Sequence, residues 1–237
     1  MIPFNKRNIM DALLKTVSIL GEPSSNMITY DRVIDLERPS QPISIAPQIP
    51  VPWGAGTFQT RSKLFVCGGL GRVEGKEKFL NSFYSSDEKG KCEHHALMKK
   101  ERAALSICGG ANMIFALGGM DNENDLQDVE QYLFDRNNWN SLPELNEARS
   151  WAASCIDHRT QTLYCFCGCV QTETYMNTVE SLDLGSQSQW KLYVAKRIPP
   201  IYHCGAVCLP GQKFLLFGGT DQVGYFTLKL RRDFTVE

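Results

Sequence analysis

Three cysteines alternate along one short apolar segment, at Cys165, Cys167 and Cys169. Thiolates are soft ligands for zinc or copper, so this cluster is the first candidate for chemistry. The alternative is a β-strand, in which alternate residues lie on one face and buried cysteines pack as small hydrophobic residues. Cys67 stands at the matching place in a similar upstream segment that has no cluster. We therefore predict structural cysteines here and no metal site.

A second group of ligand-type residues, Cys92-Glu-His-His95, lacks the paired spacing of a structural zinc site. The whole sequence contains four histidines. It contains no Gly-x-Ser-x-Gly segment that would place a nucleophile beside a base. We predict no catalytic residue, no bound metal and no cofactor.

Composition narrows the class of protein. The 237 residues are 43% hydrophobic and 22% charged, which is typical of a globular domain. The 25 Lys and Arg residues nearly balance 26 Asp and Glu residues, so neither nucleic acid nor an anionic membrane is expected as the main partner.

No apolar run approaches the roughly 18 to 20 residues of a membrane span. Nine cysteines without a recognisable secretion signal favour reduced thiols and a cytoplasmic location.

The sequence repeats itself with a period near 50 residues. An apolar run that ends in small residues occurs four times. The first glycines of these runs are Gly68, Gly118, Gly168 and Gly218. A second segment, which closes on an aspartate, follows each of the first three runs at Asp87, Asp135 and Asp183. A fixed period of this length indicates a repeat architecture.

Each repeat is predicted to form four short strands separated by turns. In the second repeat the strands are expected at residues 103–108, 113–117, 129–134 and 139–142, with glycine-rich or Asx-rich turns between them. Four antiparallel strands form a blade, and a single blade cannot bury both of its faces. Neighbouring blades must therefore stack around an axis.

This pattern resembles the Kelch-repeat family: a glycine pair after an apolar strand, a Tyr-Asp-like segment, a tryptophan such as Trp139 or Trp190, and an arginine that opens the next repeat. The resemblance spans roughly residues 52–225 and implies an all-β Kelch-type β-propeller with four recognisable four-stranded blades. Two departures stand out. Gly168-Cys169 replaces the glycine pair in the third repeat, and residues 92–97 of the first repeat lack the expected tryptophan.

Two regions are predicted. Residues 1–50 form an N-terminal segment with a short helix at 8–20 and, within 26–46, the outer strands of a degenerate blade; residues 51–237 form the propeller. The N-terminal strands either complete a composite blade with the C terminus or stand beside an incomplete propeller. We favour an open or irregular arrangement of four blades.

A non-enzymatic binding module is the leading hypothesis for function. Arginine and aromatic residues are enriched at binding hot spots, and several fall in the loops between repeats. The predicted binding residues are Arg102, Arg149, Trp151, Arg197, Tyr202 and His203. As an exposed arc, the three arginines would select an acidic peptide or protein partner. The alternative is that each arginine packs on a blade and bridges backbone carbonyls.

Family members with an attached oligomerisation domain capture substrates for ubiquitin ligation or bind actin, and the resemblance implies these roles by analogy. No such domain is recognisable in this sequence. The competing hypotheses are a propeller enzyme that acts on a small molecule or sugar at the axial mouth, and a degenerate fragment without activity.

Overall fold

The computed structural model describes residues 51–216 except 61, 88, 111, 172, 187, 196–197 and 210–211, together with the backbone of residues 217–218 and of strands at 27–28, 33–34, 42–43 and 225–229. The predicted helix at residues 8–20 lies outside the described residues. The part of the chain that is described consists of β-strands, turns and irregular segments, and it contains no helix that could cross a membrane.

The strands follow one another in short steps along the chain. The first ten are β1 (Met27–Ile28), β2 (Val33–Ile34), β3 (Pro42–Ile43), β4 (Val51–Pro52), β5 (Gly56–Gln59), β6 (Lys63–Cys67), β7 (Leu70–Val73), β8 (Lys76–Phe79), β9 (Phe83–Asp87) and β10 (Cys92–His94). The next six are β11 (Ser106–Gly109), β12 (Met113–Leu117), β13 (Val129–Leu133), β14 (Asn138–Leu142), β15 (Ala153–Asp157) and β16 (Thr162–Phe166). The last seven are β17 (Cys169–Val170), β18 (Thr174–Tyr175), β19 (Thr178–Asp183), β20 (Lys191–Val194), β21 (Cys204–Leu209), β22 (Lys213–Gly218) and β23 (Tyr225–Lys229).

Four successive antiparallel sheets account for most of these strands. The first sheet has the order β5-β6-β9-β10, the second β11-β12-β13-β14 and the third β15-β16-β19-β20. The fourth sheet is described with three strands, β21-β22-β23. Short hairpins, β7-β8 and β17-β18, lie between the second and third strands of the first and third sheets. The predicted all-β repeat of four-stranded sheets is confirmed for three sheets.

The alternation of side chains explains how the sheets stack. Along β12, Ile114 and Ala116 pack in the core shared with the first sheet, whereas Phe115 and Leu117 pack in the core shared with the third. Successive side chains of a strand point to opposite faces, so one apolar strand contributes to both cores. A third core joins the third and fourth sheets around Phe166 and Phe214. The innermost strands β5, β11, β15 and β21 neighbour one another in that order.

The last three strands of the second repeat lie within one residue of expectation, whereas the first begins at Ser106 and not at residue 103. Ala103 instead forms a bridge with Met120, and Ala104 has a φ of +55°. A left-handed residue cannot continue an extended strand. The two alanines therefore belong to the connection between sheets.

The third repeat is offset by one residue from its predicted alignment. Cys167 and Gly168 have φ values of +55° and +99°, which match +56° and +98° at Gly118 and Gly119. Cys167-Gly168 is therefore the equivalent of the glycine pair, and the predicted pair Gly168-Cys169 is wrong. The expectation that the three clustered cysteines share one face is also wrong: Cys165 packs between the second and third sheets, and Cys167 between the third and fourth.

Candidate functional site

A chain of backbone hydrogen bonds links the four sheets at one end of their innermost strands. The amide N–H of Ala104 donates to the carbonyl of Gly54 (2.6 Å), that of Trp151 to Ala104 (2.8 Å) and that of His203 to Trp151 (2.9 Å). Each of these residues lies one or two positions before an innermost strand, and each has a φ between +53° and +65°. We call this series the backbone relay.

The relay requires a conformation that side-chain-bearing residues rarely adopt, so it marks a constrained place. Gly54 meets this requirement without a steric cost, but Ala104, Trp151 and His203 do not. The hydrogen bonds to equivalent residues of the neighbouring repeats hold them in position. The two large side chains are thereby held at the same end of the innermost strands.

Five rings from this end of the molecule contact one another in a continuous series. Trp53 meets Trp151 edge to face, with ring centroids 5.1 Å apart, and Trp151 stacks on His203 at 3.8 Å. His203 in turn meets Tyr202 at 5.0 Å, and Tyr202 stacks on Tyr175 at 4.5 Å. We call this series the aromatic arc. The rings at its two ends are the most open, with Trp53 38% and Tyr175 39% exposed.

Small residues in the second repeat allow the arc to form. Trp53 precedes the relay position in the first repeat, and Trp151 occupies it in the third. Between them the second repeat has Ala103 and Ala104, both buried. The Trp151 ring lies over Gly54. A Cβ atom added at Gly54 would be 3.4 Å from Cη2 of Trp151. Rings of the first and third repeats meet because the second repeat has no large side chain there.

His203 lies between two of these rings, and burial lowers its pKa below the usual histidine value. Desolvation disfavours the charged imidazolium. At neutral pH the arc therefore contains a neutral imidazole, which stacks on Trp151 without presenting a positive charge.

An acidic loop, residues 121–125, is the part of the second repeat that lies beside the arc. Met120 bridges Ala103 on one side and Asp125 on the other. The Asp125 carboxylate accepts a hydrogen bond from the backbone N–H of Gln171 at 2.6 Å, which ties the loop to the segment that leads to Tyr175. The Asp121 carboxylate accepts from the N–H groups of Glu123 and of the next residue, which lowers its pKa and keeps it ionised.

Two of the predicted binding arginines point into the protein. Arg102 has no exposed side-chain surface, and its guanidinium donates to Glu130 at 2.5 Å and to the carbonyls of Gly118 and Asp128. The Glu130 carboxylate also accepts the backbone N–H groups of residues 99 and 100. Arg102 thus joins the second and third strands of the second sheet to the segment that enters it.

Arg149 repeats this arrangement in the third sheet. Its guanidinium donates to Glu180 at 2.7 Å and to the carbonyl of Cys167 at 3.0 Å, with a further ion pair to Glu147 at 3.1 Å. Glu180 accepts the N–H groups of residues 146 and 147. Both arginines therefore follow the alternative in which they bridge backbone carbonyls, and neither presents its charge to a partner.

The third position of the predicted arginine arc is filled by a different residue. The carbonyls of Arg102 and Arg149 accept the N–H groups of Gly69 and Gly119, and the corresponding acceptor for Gly168 is Ile201. Arg197 lies outside the described residues. Of the six predicted binding residues, the structure brings together Trp151, Tyr202 and His203, and their role in binding stays a prediction.

Sequence reasoning missed Trp53 and Tyr175 as members of the arc. Trp53 could have been found, because it stands one residue before Gly54 in the same register as Tyr202 before His203. Tyr175 had no such signal, since it lies in hairpin β17-β18 and reaches Tyr202 only through the fold.

Six of the nine cysteines are buried, whereas Cys92 is exposed and Cys204 and Cys208 are half-buried. The Ser85 hydroxyl lies 2.9 Å from Nε2 of His95, but Ser85 is fully buried within the first sheet. Burial raises the pKa of the Cys108 and Cys165 thiols to about 12, which keeps both protonated. These cysteines pack in the core as the sequence predicts.

One comparison with known proteins bears on this architecture. Residues 101–146 match the model of the Kelch motif, and this range contains the whole second sheet. The match confirms the predicted resemblance to the Kelch-repeat family. No curated protein matches the chain.

Proposed function

From the Kelch motif at its second sheet, we propose that this chain is a protein-interaction module that binds a peptide or protein segment across the aromatic arc. A Kelch motif is typical of propeller modules that bind other proteins, and this general assignment follows from the match. The location of the binding surface is our proposal.

The stacking of the sheets supports a propeller in which each sheet is a blade. The innermost strands are neighbours in chain order, and the backbone relay joins equivalent residues of four consecutive repeats. A repeated step of this kind turns the sheets around a common axis. The arc then lies at the axial mouth, where loops from several blades meet.

The aromatic arc is the observation that carries the proposal. Its rings come from the first, third and fourth repeats, and both ends are partly exposed. Tryptophan and tyrosine provide large contact areas with few rotatable bonds, which is why they are enriched at hot spots. A rigid surface built from several repeats suits recognition of an extended segment.

The described arginines of the predicted arc give no support for an acidic partner. An acidic partner is expected only if arginines face outward, and Arg102 and Arg149 are buried against glutamates. The proposal therefore depends on the rings and not on an exposed basic arc. Adaptor and cytoskeletal roles stay predictions that come from the family alone.

The test is affinity capture from a native extract with the double variant Trp53→Ala/Tyr202→Ala. We expect it to lose partners that the wild type captures, because two rings of the arc are removed. The matched control is Leu192→Ala/Val194→Ala, which truncates two exposed apolar residues on the outer strand β20. Equal capture by the wild type and both folded variants would overturn the proposal.

A further inference from the structure

We propose that the partner segment is basic, and that a lysine or arginine side chain of the segment binds between the aromatic arc and the acidic loop. This inference rests on the proposed function and specifies its partner. It reverses the expectation of an acidic partner.

The exposed rings of the aromatic arc form a surface that attracts cations. Trp53 and Tyr175 have exposed ring surface. The negative face of an aromatic ring attracts a cation, with tryptophan as the strongest partner. Lysine and arginine also bring long alkyl stems that cover apolar rings.

The nearby positive charges lie beside carboxylates. The exposed Lys100, whose charge acts on Asp121, pairs with Asp128 at 3.8 Å between Nζ and Oδ2. The ion pairs of Arg102 with Glu130 and of Arg149 with Glu180 are buried. The arc also contains His203, whose imidazole is neutral near pH 7. An incoming cation therefore does not meet an exposed positive charge from Arg102, Arg149 or His203.

The loops adjacent to the arc carry an excess of acidic residues. Asp121, Glu123 and Asp125 lie in the acidic loop, and Glu173 lies in the hairpin that carries Tyr175. Neither residues 120–125 nor residues 169–175 contain lysine or arginine. The hydrogen bond from Gln171 to Asp125 holds these two loops side by side. Charge complementarity of this kind selects the partner and speeds encounter.

The loop of the first repeat does not cancel this charge. Hairpin β7-β8 contains Arg72, Lys76 and Lys78, together with Glu74 and Glu77. Lys78 forms an ion pair with Glu101 at 2.8 Å. The hairpin is thus of mixed charge, and the loops of the second and third repeats supply the clear excess of one sign.

The experiment is selection from a random linear peptide library on the immobilised full chain, followed by affinity measurements by fluorescence anisotropy. We expect enriched peptides to carry lysine or arginine. Replacement of that residue by acetyl-lysine or citrulline should weaken binding about tenfold, an effect within the range of a partly desolvated cation–π contact. Binding should also weaken as salt rises, because the carboxylates of Glu123 and Glu173 are exposed.

Protein variants locate the contact. Trp53→Leu keeps an apolar side chain but removes the ring, and we expect about tenfold weaker binding. Glu123→Gln removes one loop charge and should weaken binding a few-fold at low salt. The control Asp135→Asn removes an exposed acid in the turn between β13 and β14, at the other end of the second sheet, and should leave affinity unchanged.

The outcomes separate the two proposals. Acidic or uncharged peptides whose binding is lost in Trp53→Leu would overturn the basic-partner inference and leave the binding module in place. No enrichment, or peptides that bind the wild type and Trp53→Leu equally, would overturn both proposals.

Discussion

The same buried ion pair occurs at equivalent residues of two repeats. Arg102 pairs with Glu130 in the second sheet, and Arg149 pairs with Glu180 in the third. Each glutamate also accepts two backbone N–H groups from the segment that enters its sheet. Each pair therefore adds hydrogen bonds that hold the connection against its sheet, and removal of one member leaves the other charge buried without its partner.

The substitution Arg149→Ala tests this structural role. We expect it to reduce the free energy of unfolding by about 3 to 5 kcal/mol, because Glu180 would remain buried without its counter-charge. Urea denaturation followed by tryptophan fluorescence gives the measurement. Arg136→Ala is the control, since Arg136 is 69% exposed and should change stability by less than about 0.5 kcal/mol. Equal midpoints for the two variants would contradict the role.

At the scale of the element, the fourth strand of a sheet is attached to the preceding sheet by a tryptophan. The indole N–H of Trp139 on β14 donates to the carbonyl of Ala96 at 2.9 Å, and that of Trp190 donates to Pro143 at 2.8 Å. Both rings are buried in the cores between sheets. This contact explains why the repeat pattern contains a tryptophan and joins each outer strand to its neighbour.

Two substitutions at Trp139 separate packing from hydrogen bonding. Trp139→Ala should lower the free energy of unfolding by about 3 to 5 kcal/mol through loss of a buried aromatic side chain. Trp139→Phe keeps most of the ring and should cost less; the lost hydrogen bond alone accounts for about 1 kcal/mol. Chemical denaturation measures both. An unchanged midpoint for Trp139→Ala would show that β14 does not depend on this packing.

At the scale of the whole molecule, the backbone relay connects all four sheets. Its residues lie in connections, yet the N–H groups of Ala104, Trp151 and His203 are bonded across repeats. Neighbouring sheets are therefore joined by side-chain cores and also by direct backbone hydrogen bonds. Opening one relay bond requires neighbouring sheets to separate.

Hydrogen exchange tests whether the relay acts as a unit. We expect the amides of Ala104, Trp151 and His203 to exchange as slowly as those of the innermost strands, because exchange requires separation of the sheets. Native-state exchange followed by NMR gives the rates. The exposed turn at Glu74-Gly75 supplies a fast reference. Relay amides that exchange at the rate of this turn would show that the sheets move independently.

The sequence by itself determined the repeat, the class of its elements and most of their bounds. Strands β12, β13 and β14 lie within one residue of expectation. These features depend on local chemistry: apolar alternation sets a strand, and glycine or Asx residues set its turns. The core position of the tryptophans follows from the same periodic pattern.

Only the tertiary structure decided what the residues between repeats do. An arginine in a connection has the same local signature whether it faces solvent or a buried glutamate, and Glu130 lies 28 residues beyond Arg102. The offset at Cys167 depends on hydrogen bonds with the next repeat, and the aromatic arc depends on the small alanines of the second repeat. These outcomes are set by contacts distant in sequence, which a local pattern does not contain.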